Sequence, residues 1–121
     1  MKKILVIDDE EQLLNLLKTL LEAEGYQVAI ATNGQSGIDM FRESPADLVI
    51  TDMVMPVKDG LKTILELREI SENVPVLAIS GGGAIAKERY LAIASYIDNV
   101  RTAEKPLSRS EILTAVEEML S

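Results

Sequence analysis

Five side chains in this sequence have the types and order needed to handle a phosphoryl group. The acid pair Asp8-Asp9 closes one short apolar run, Asp52 closes a second, Ser80 closes a third and Lys105 follows a weaker fourth. Three carboxylates beside one ammonium leave a negative surplus, and like charges crowded together raise one another's proton affinity. A divalent cation would restore neutrality. The 121 residues include no His and no Cys, so the ligands must be oxygens. A hard ion follows, with Mg2+ the default. Mg2+ clamps and neutralises phosphate oxygens, and Asp52 would then be a nucleophile facing a phosphoryl group held by metal, Lys105 and Ser80. Phosphoryl transfer needs little beyond such positioning and charge neutralisation.

These groups meet only if the chain delivers them to one place. Short apolar runs alternate with longer amphipathic ones, the pattern of βα units around a parallel sheet. Strands are expected at 2–8, 26–31, 47–52, 74–80 and, weakly, 99–104, where polar residues suit a sheet edge. Helices are expected at 10–24, in a short stretch after Asn33, at 60–70, at roughly 84–97 and after Ser108. The first should bury Leu13, Leu16, Leu17 and Leu20, with Asp9 and Gln12 at capping-box spacing and Gly25 as a left-handed stop. Asn33 and Asp59 read as caps, and Ser108-x-x-Glu111 as a capping box. Parallel crossovers are right-handed, so all five strands point the same way, and ligands of such sheets bind beyond the strands' carboxyl ends. Asp8, Asp9, Asp52, Ser80 and Lys105 all fall there.

Each residue also has a plainer reading. Asp9 could be only an N-cap, Asp52 a solvated strand end, Ser80 a turn residue, Lys105 a surface lysine and Gly81-Gly82-Gly83 a hinge or an anion-binding nest, of which the hinge is preferred. Their joint placement at the ends of four strands is what argues for a site. Composition narrows the function further. With 12 basic and 20 acidic residues the net charge is -8, which disfavours direct contact with nucleic acid or an anionic membrane. The lack of His and Cys removes imidazole and thiol chemistry. No apolar run reaches the length of a signal or spanning segment, so a cytoplasmic protein is expected.

The stretches ILVIDDE (4–10), DLVITDMVMPVKDG (47–60), VPVLAIS (74–80) and EKP (104–106) resemble the receiver domains of two-component response regulators, over essentially the whole chain. The resemblance implies one domain (1–121), an α/β (βα)5 doubly wound parallel five-stranded sheet of flavodoxin-like order 2-1-3-4-5, and a regulatory phosphoacceptor rather than an enzyme. It implies that Asp52 takes its phosphoryl group from the phosphohistidine of a sensor histidine kinase or phosphotransfer protein. Asp9, Asp52 and the backbone carbonyl of Val54 would ligate Mg2+, with Asp8 acting mainly through water. Lys105 and Ser80 would hold phosphoryl oxygens, with Gly81 and Pro106 in supporting places and a Lys105-Pro106 bond that is often cis in such proteins. The face made by the fourth helix, fifth strand and last helix would signal to a downstream protein, from a monomer or a phosphorylation-dependent dimer.

Three departures fall on that output side. Thr102 stands where many receivers carry a switching aromatic, so that readout is absent or rebuilt, with Tyr90 or Tyr96 as candidates. The 25 residues from Ser80 to Lys105 are a few more than usual, and the triple glycine should loosen the intervening loop. Val54 and Gly82 hold positions that flank the hydrolytic water in this family, and neither can hydrogen-bond it, which implies slow self-dephosphorylation. Competing readings are a Mg2+-dependent aspartyl phosphatase of the haloacid dehalogenase type, a flavodoxin-like cofactor carrier, an unphosphorylated receiver-like binding module, and a receiver cut from a longer DNA-binding regulator. In the phosphatase the nucleophile belongs on the first strand. In the cofactor carrier, DDEE (8–11) would repel a cofactor phosphate.

Overall fold

The computed structural model describes residues 1–53, 58–80, 92, 97–105 and 107–121. Among them are five strands, β1 (Lys3–Ile7), β2 (Gln27–Ala31), β3 (Leu48–Asp52), β4 (Val76–Ser80) and β5 (Val100–Glu104). Three helices follow the first three strands, α1 (Glu11–Ala23), α2 (Gly34–Glu43) and α3 (Gly60–Ile70), and a C-terminal helix spans Arg109–Leu120. The strands form one sheet in the order β2-β1-β3-β4-β5, and every pairing is parallel.

Helices cover both faces, which is why β3 and β4 are buried along their whole length instead of alternating with polar residues. Ile4, Val6, Leu48, Ile50, Leu77 and Ile79 pack with Leu14, Leu17 and Leu21 of α1 and with Ile112 and Val116 of the C-terminal helix. On the other face Leu5, Ile7, Val49, Val76 and Ala78 pack with Ile38 and Phe41 of α2 and with Ile64 and Leu67 of α3. The half-polar β5 lies at the edge, as its composition implies.

Helix ends show where local chemistry decides and where it does not. The Asn33 side chain accepts from the Ser36 amide at 2.8 Å, and that of Asp59 from the Lys62 amide at 2.9 Å. Ser108 and Glu111 form both arms of the expected capping box. Ser108→Ala should therefore cost about 1 kcal/mol, read as a lower urea midpoint with an unchanged slope. Gly25 stops α1 with a φ of 94°. The expected box at Asp9 and Gln12 does not form. The N-cap is Glu10, with no side-chain bond, and Asp8 Oδ1 takes the Glu10 amide instead at 2.9 Å. That bond turns the chain one residue later and leaves Asp9 exposed. The buried stripe of α1 is accordingly Leu14, Leu17 and Leu21, while Leu16 is 63% exposed.

The start of β5 is fastened by α3. The Arg68 guanidinium donates to the carbonyls of Ser71, Asp98 and Asn99. Asn99 takes a left-handed φ of 62°, and its side-chain amide donates to the Asn73 carbonyl at 2.6 Å. The expected helix at 84–97 and the glycines 81–83 lie outside the described residues, apart from Ala92, which is helical, and Ile97, which is partly buried against the core.

Candidate functional site

Strand alternation alone assigns a side to each site residue. Ile4 and Val6 face α1 and the C-terminal helix, so Asp8 continues on that side. Leu48 and Ile50 lead in the same way to Asp52, and Ala103 to Lys105. All three project at the carboxyl rim of the sheet. Lys105 Nζ lies 3.1 Å from Asp8 Oδ2, 3.2 Å from Asp52 Oδ2 and 3.7 Å from Glu10 Oε1. Asp8 and Asp52 are 4% and 6% exposed, and Asp9 stands open at the surface. One oxygen from each of Asp8, Asp9 and Asp52 falls within 4.8 Å of the other two. The structure thus gathers the predicted carboxylates and ammonium into one pocket.

The charges in this pocket do not balance. Burial pushes the Asp8 carboxyl above its ordinary pKa and the neighbouring Asp52 charge adds to the rise, against the opposing pull of the Glu10 amide and Lys105. Burial by itself would lower Lys105, but Asp52 and then Asp8 outweigh it and hold the ammonium above its ordinary value. One cation is drawn to two buried carboxylates and cannot fully satisfy both. A donor set of three carboxylates, one of them solvent-facing, fits a hard divalent ion that keeps part of its water shell.

Ser80 occupies the opposite side of β4 by the same alternation, in line with Val76 and Ala78. Its carbonyl accepts the Lys105 amide at 2.8 Å, which ties the two predicted phosphoryl-binding residues together through the backbone. Its hydroxyl is fully buried and has no hydrogen-bond partner among the described residues. An unsatisfied buried hydroxyl costs about 1–3 kcal/mol, so this oxygen is suited to meet an acceptor supplied from outside the resting structure. Thr102 pairs with Ala78 in the β4–β5 register, on the face that also carries Val100 and Ser80, and is partly buried. Val54, Gly81, Gly82, Tyr90, Tyr96 and Pro106 lie outside the described residues.

Four features of the site carry no signature in the sequence. Glu10 approaches Lys105 from the rim. Lys58, just before the α3 cap, places Nζ 2.6 Å from both carboxylate oxygens of Glu66. The Thr51 hydroxyl donates to the Asp52 carbonyl at 3.1 Å. Gly60 lies so close to the nucleophile that an added Cβ would sit 2.3 Å from the Asp52 carbonyl oxygen. Two of these contacts use a backbone group as partner, and all four cross between elements or turn inward, where residue types alone give no clue.

Comparison with known proteins agrees with this geometry. The family model described as response regulator receiver domain matches residues 4–117. The transcriptional regulatory protein CpxR of Escherichia coli K12 is 33% identical over 120 residues, which is 99% of this chain and 50% of that protein. The chemotaxis protein CheY of Halobacterium salinarum is 30% identical over 120 residues, covering 99% of this chain and 98% of that one. The chain thus spans about half the length of the CpxR relatives and nearly all of the chemotaxis protein. A receiver domain protein from Clostridium thermocellum superposes with a TM-score of 0.87 at 31% identity, over 99% of this chain and 94% of the other. The chemotaxis protein CheY4 of Vibrio cholerae has the same fold, with a TM-score of 0.87 at 22% identity over 99% of each chain.

Proposed function

We propose, for a chain that belongs to the response regulator receiver domain family, that Asp52 accepts a phosphoryl group from the phosphohistidine of a separate kinase or phosphotransfer protein. The observation that carries this reading is the placement of Lys105 Nζ between Asp8 and Asp52 beside the three-carboxylate cluster. Asp8, Asp9, Asp52 and the Val54 carbonyl would hold Mg2+, which when bound neutralises phosphoryl oxygens. A carboxylate oxygen of Asp52 forms the new bond to phosphorus while the phosphorus–nitrogen bond of the donor breaks, its electron pair staying on the donor imidazole. Lys105 holds a phosphoryl oxygen throughout, and the unpartnered Ser80 hydroxyl donates to another once the group has arrived.

The acyl phosphate replaces one negative charge by roughly -1.5 to -2 and adds three acceptor oxygens. Only a conformation that offers those acceptors more donors gains population, and Ser80 and Lys105 are the donors at hand. The face carrying β5 and the C-terminal helix then signals by contact with a downstream protein, with Thr102 in place of an aromatic readout. Among the described residues no helix is long and apolar enough to cross a membrane, and a cytoplasmic site of action belongs to the same proposal. The half-length match to CpxR favours a second reading, a receiver that controls an attached DNA-binding domain. The site chemistry is the same in both.

The test is incubation with Mg2+ and acetyl phosphate, followed by intact-mass measurement. Wild type should gain one phosphoryl group, while Asp52→Asn, or wild type with excess EDTA, should gain none. Labelling of Asp52→Asn to the same extent, or an unlabelled wild type even with a competent histidine kinase, would overturn the assignment. Sustained turnover of p-nitrophenyl phosphate would instead support the aspartyl phosphatase reading.

A further inference from the structure

We infer that Thr51 is a positioning residue for the phosphoacceptor, its buried hydroxyl fixing the peptide through which the chain leaves Asp52; this rests on the reading of Asp52 given above. Thr51 is 0% exposed and stands on the face of β3 turned away from the carboxylate pocket, in line with Val49. That face carries Val49, Met53, Ala78 and Ile64 together with the buried Ser80, and Thr51 is paired with Ala78 in the β3–β4 register. A valine has the same shape and would fill the place without bringing a polar group out of water. The hydroxyl is therefore a cost to packing unless its one bond is useful, and that bond goes to the Asp52 carbonyl at 3.1 Å.

The Asp52–Met53 peptide it holds is also fixed through its amide, and the Met53 carbonyl beyond it is held by α3. The Met53 amide donates to the Ile79 carbonyl at 2.9 Å, and the Met53 carbonyl accepts from the Gly60 amide at 3.0 Å. Above it the first residue of α3 leaves no spare room, since a Cβ on Gly60 would lie 2.5 Å from Met53 Cα. The orientation of this peptide is the ψ angle of Asp52. Changing it swings the Asp52 carboxylate relative to Asp8 and Lys105. Sites that hold metals and transfer groups tolerate about 0.5 Å of error, and a misplacement of about 1 Å can cost on the order of a hundredfold in rate.

The experiment compares Thr51→Val, Thr51→Ser and Thr51→Ala in the full chain. Three quantities are measured: Mg2+ affinity by calorimetry, the rate of labelling by acetyl phosphate, and the urea midpoint. Thr51→Val should lower the labelling rate about fivefold to tenfold and weaken Mg2+ binding severalfold. Thr51→Ser, which keeps the hydroxyl, should return both to within about twofold of wild type. If Thr51→Val fails to fold, the Ser and Ala variants carry the comparison, since both lack the methyl group and differ only in the hydroxyl. A Val variant of normal Mg2+ affinity and rate, or a Ser variant no better than the Ala variant, overturns the inference. Should wild type bind Mg2+ yet resist labelling, the phosphoacceptor reading fails, and the Mg2+ affinities still decide whether Thr51 sets the geometry of Asp52.

Discussion

Gly60→Ala is expected to destabilise the protein by about 2–3 kcal/mol, the upper part of the range for forcing extra atoms into a packed interior, and to slow phosphoryl labelling at Asp52. Helix propensity argues the other way, because alanine is favoured over glycine by up to about 1 kcal/mol within a helix. Sterics should win here. The new Cβ would lie 2.3 Å from the Asp52 oxygen, 2.5 Å from Met53 Cα and 3.0 Å from the Asp52 carbonyl carbon, all backbone atoms. β3 cannot give way, since it is paired with β1 on one side and β4 on the other and is buried throughout. The start of α3 must therefore move out, stretching the Gly60–Met53 hydrogen bond and disturbing the peptide that sets Asp52. Gly34→Ala is the control. Its Cβ would meet the Thr63 hydroxyl first, at 2.2 Å, with the Lys58 carbonyl at 3.0 Å. Thr63 is buried and its hydroxyl donates to the Asp59 carbonyl at 2.9 Å, so moving it costs one hydrogen bond of about 1 kcal/mol, and that variant should lose less than one that must displace the backbone of β3 or α3. Urea midpoints that rank Gly34→Ala below Gly60→Ala, or a Gly60→Ala protein as stable as wild type, would refute the steric account.

The parts of the site that sequence could reveal are those whose chemistry is local or follows the sheet's period. Asp8, Asp52 and Lys105 were readable because strand ends in a parallel sheet share one rim and alternation puts all three on one face. Asn33, Asp59 and the Ser108–Glu111 pair were readable because a cap bonds to amides two or three residues away. Asp9 had the same spacing and misled, because the competing bond from Asp8 to the Glu10 amide lies in the turn itself. In the run LLNLLKTLL (13–21), apolar residues outnumber the places on one helix face, so Leu16 could be sorted from Leu14 only by the packed partner. Arg68 resisted sequence reading for another reason. Its partners are carbonyls some thirty positions further on, and a carbonyl looks the same at every residue.

Lys105→Met should produce two effects of opposite sign, because the same ammonium neutralises the resting pocket and competes there with the metal. Without Mg2+ at neutral pH the variant is expected to lose about 3 kcal/mol. That is the low end for breaking a buried ion pair by removing one partner, since the lysine side chain keeps 21% exposure and a carboxylate left behind can take up a proton. Mg2+ should bind the variant more tightly than wild type, as one positive charge fewer opposes it, and should restore most of the lost stability by mass action. Labelling at Asp52 should nevertheless be slower, because the ammonium that holds an incoming oxygen is gone.

The pH profile separates this from a packing defect. Asp8 has a raised pKa in the folded state, so the folded form binds that proton more tightly than the unfolded chain, and the Asp8 contribution falls as pH rises from about 3.8 through the folded value. Removing Lys105 takes away a group that opposes the rise, so this penalty should deepen in the variant. Lys105 in wild type has the complementary sign. Its contribution is complete below 10.5 and disappears as pH climbs through its raised folded pKa. The stability gap between the two proteins should therefore be widest from mildly acidic to mildly alkaline pH. It should narrow in acid, where the carboxylates are neutral, and again in strong alkali, where the lysine is neutral. A gap that stays constant across pH and ignores Mg2+ would mean that Lys105 contributes through its methylene stem alone, and the charge balance that supports the phosphoacceptor reading would not hold.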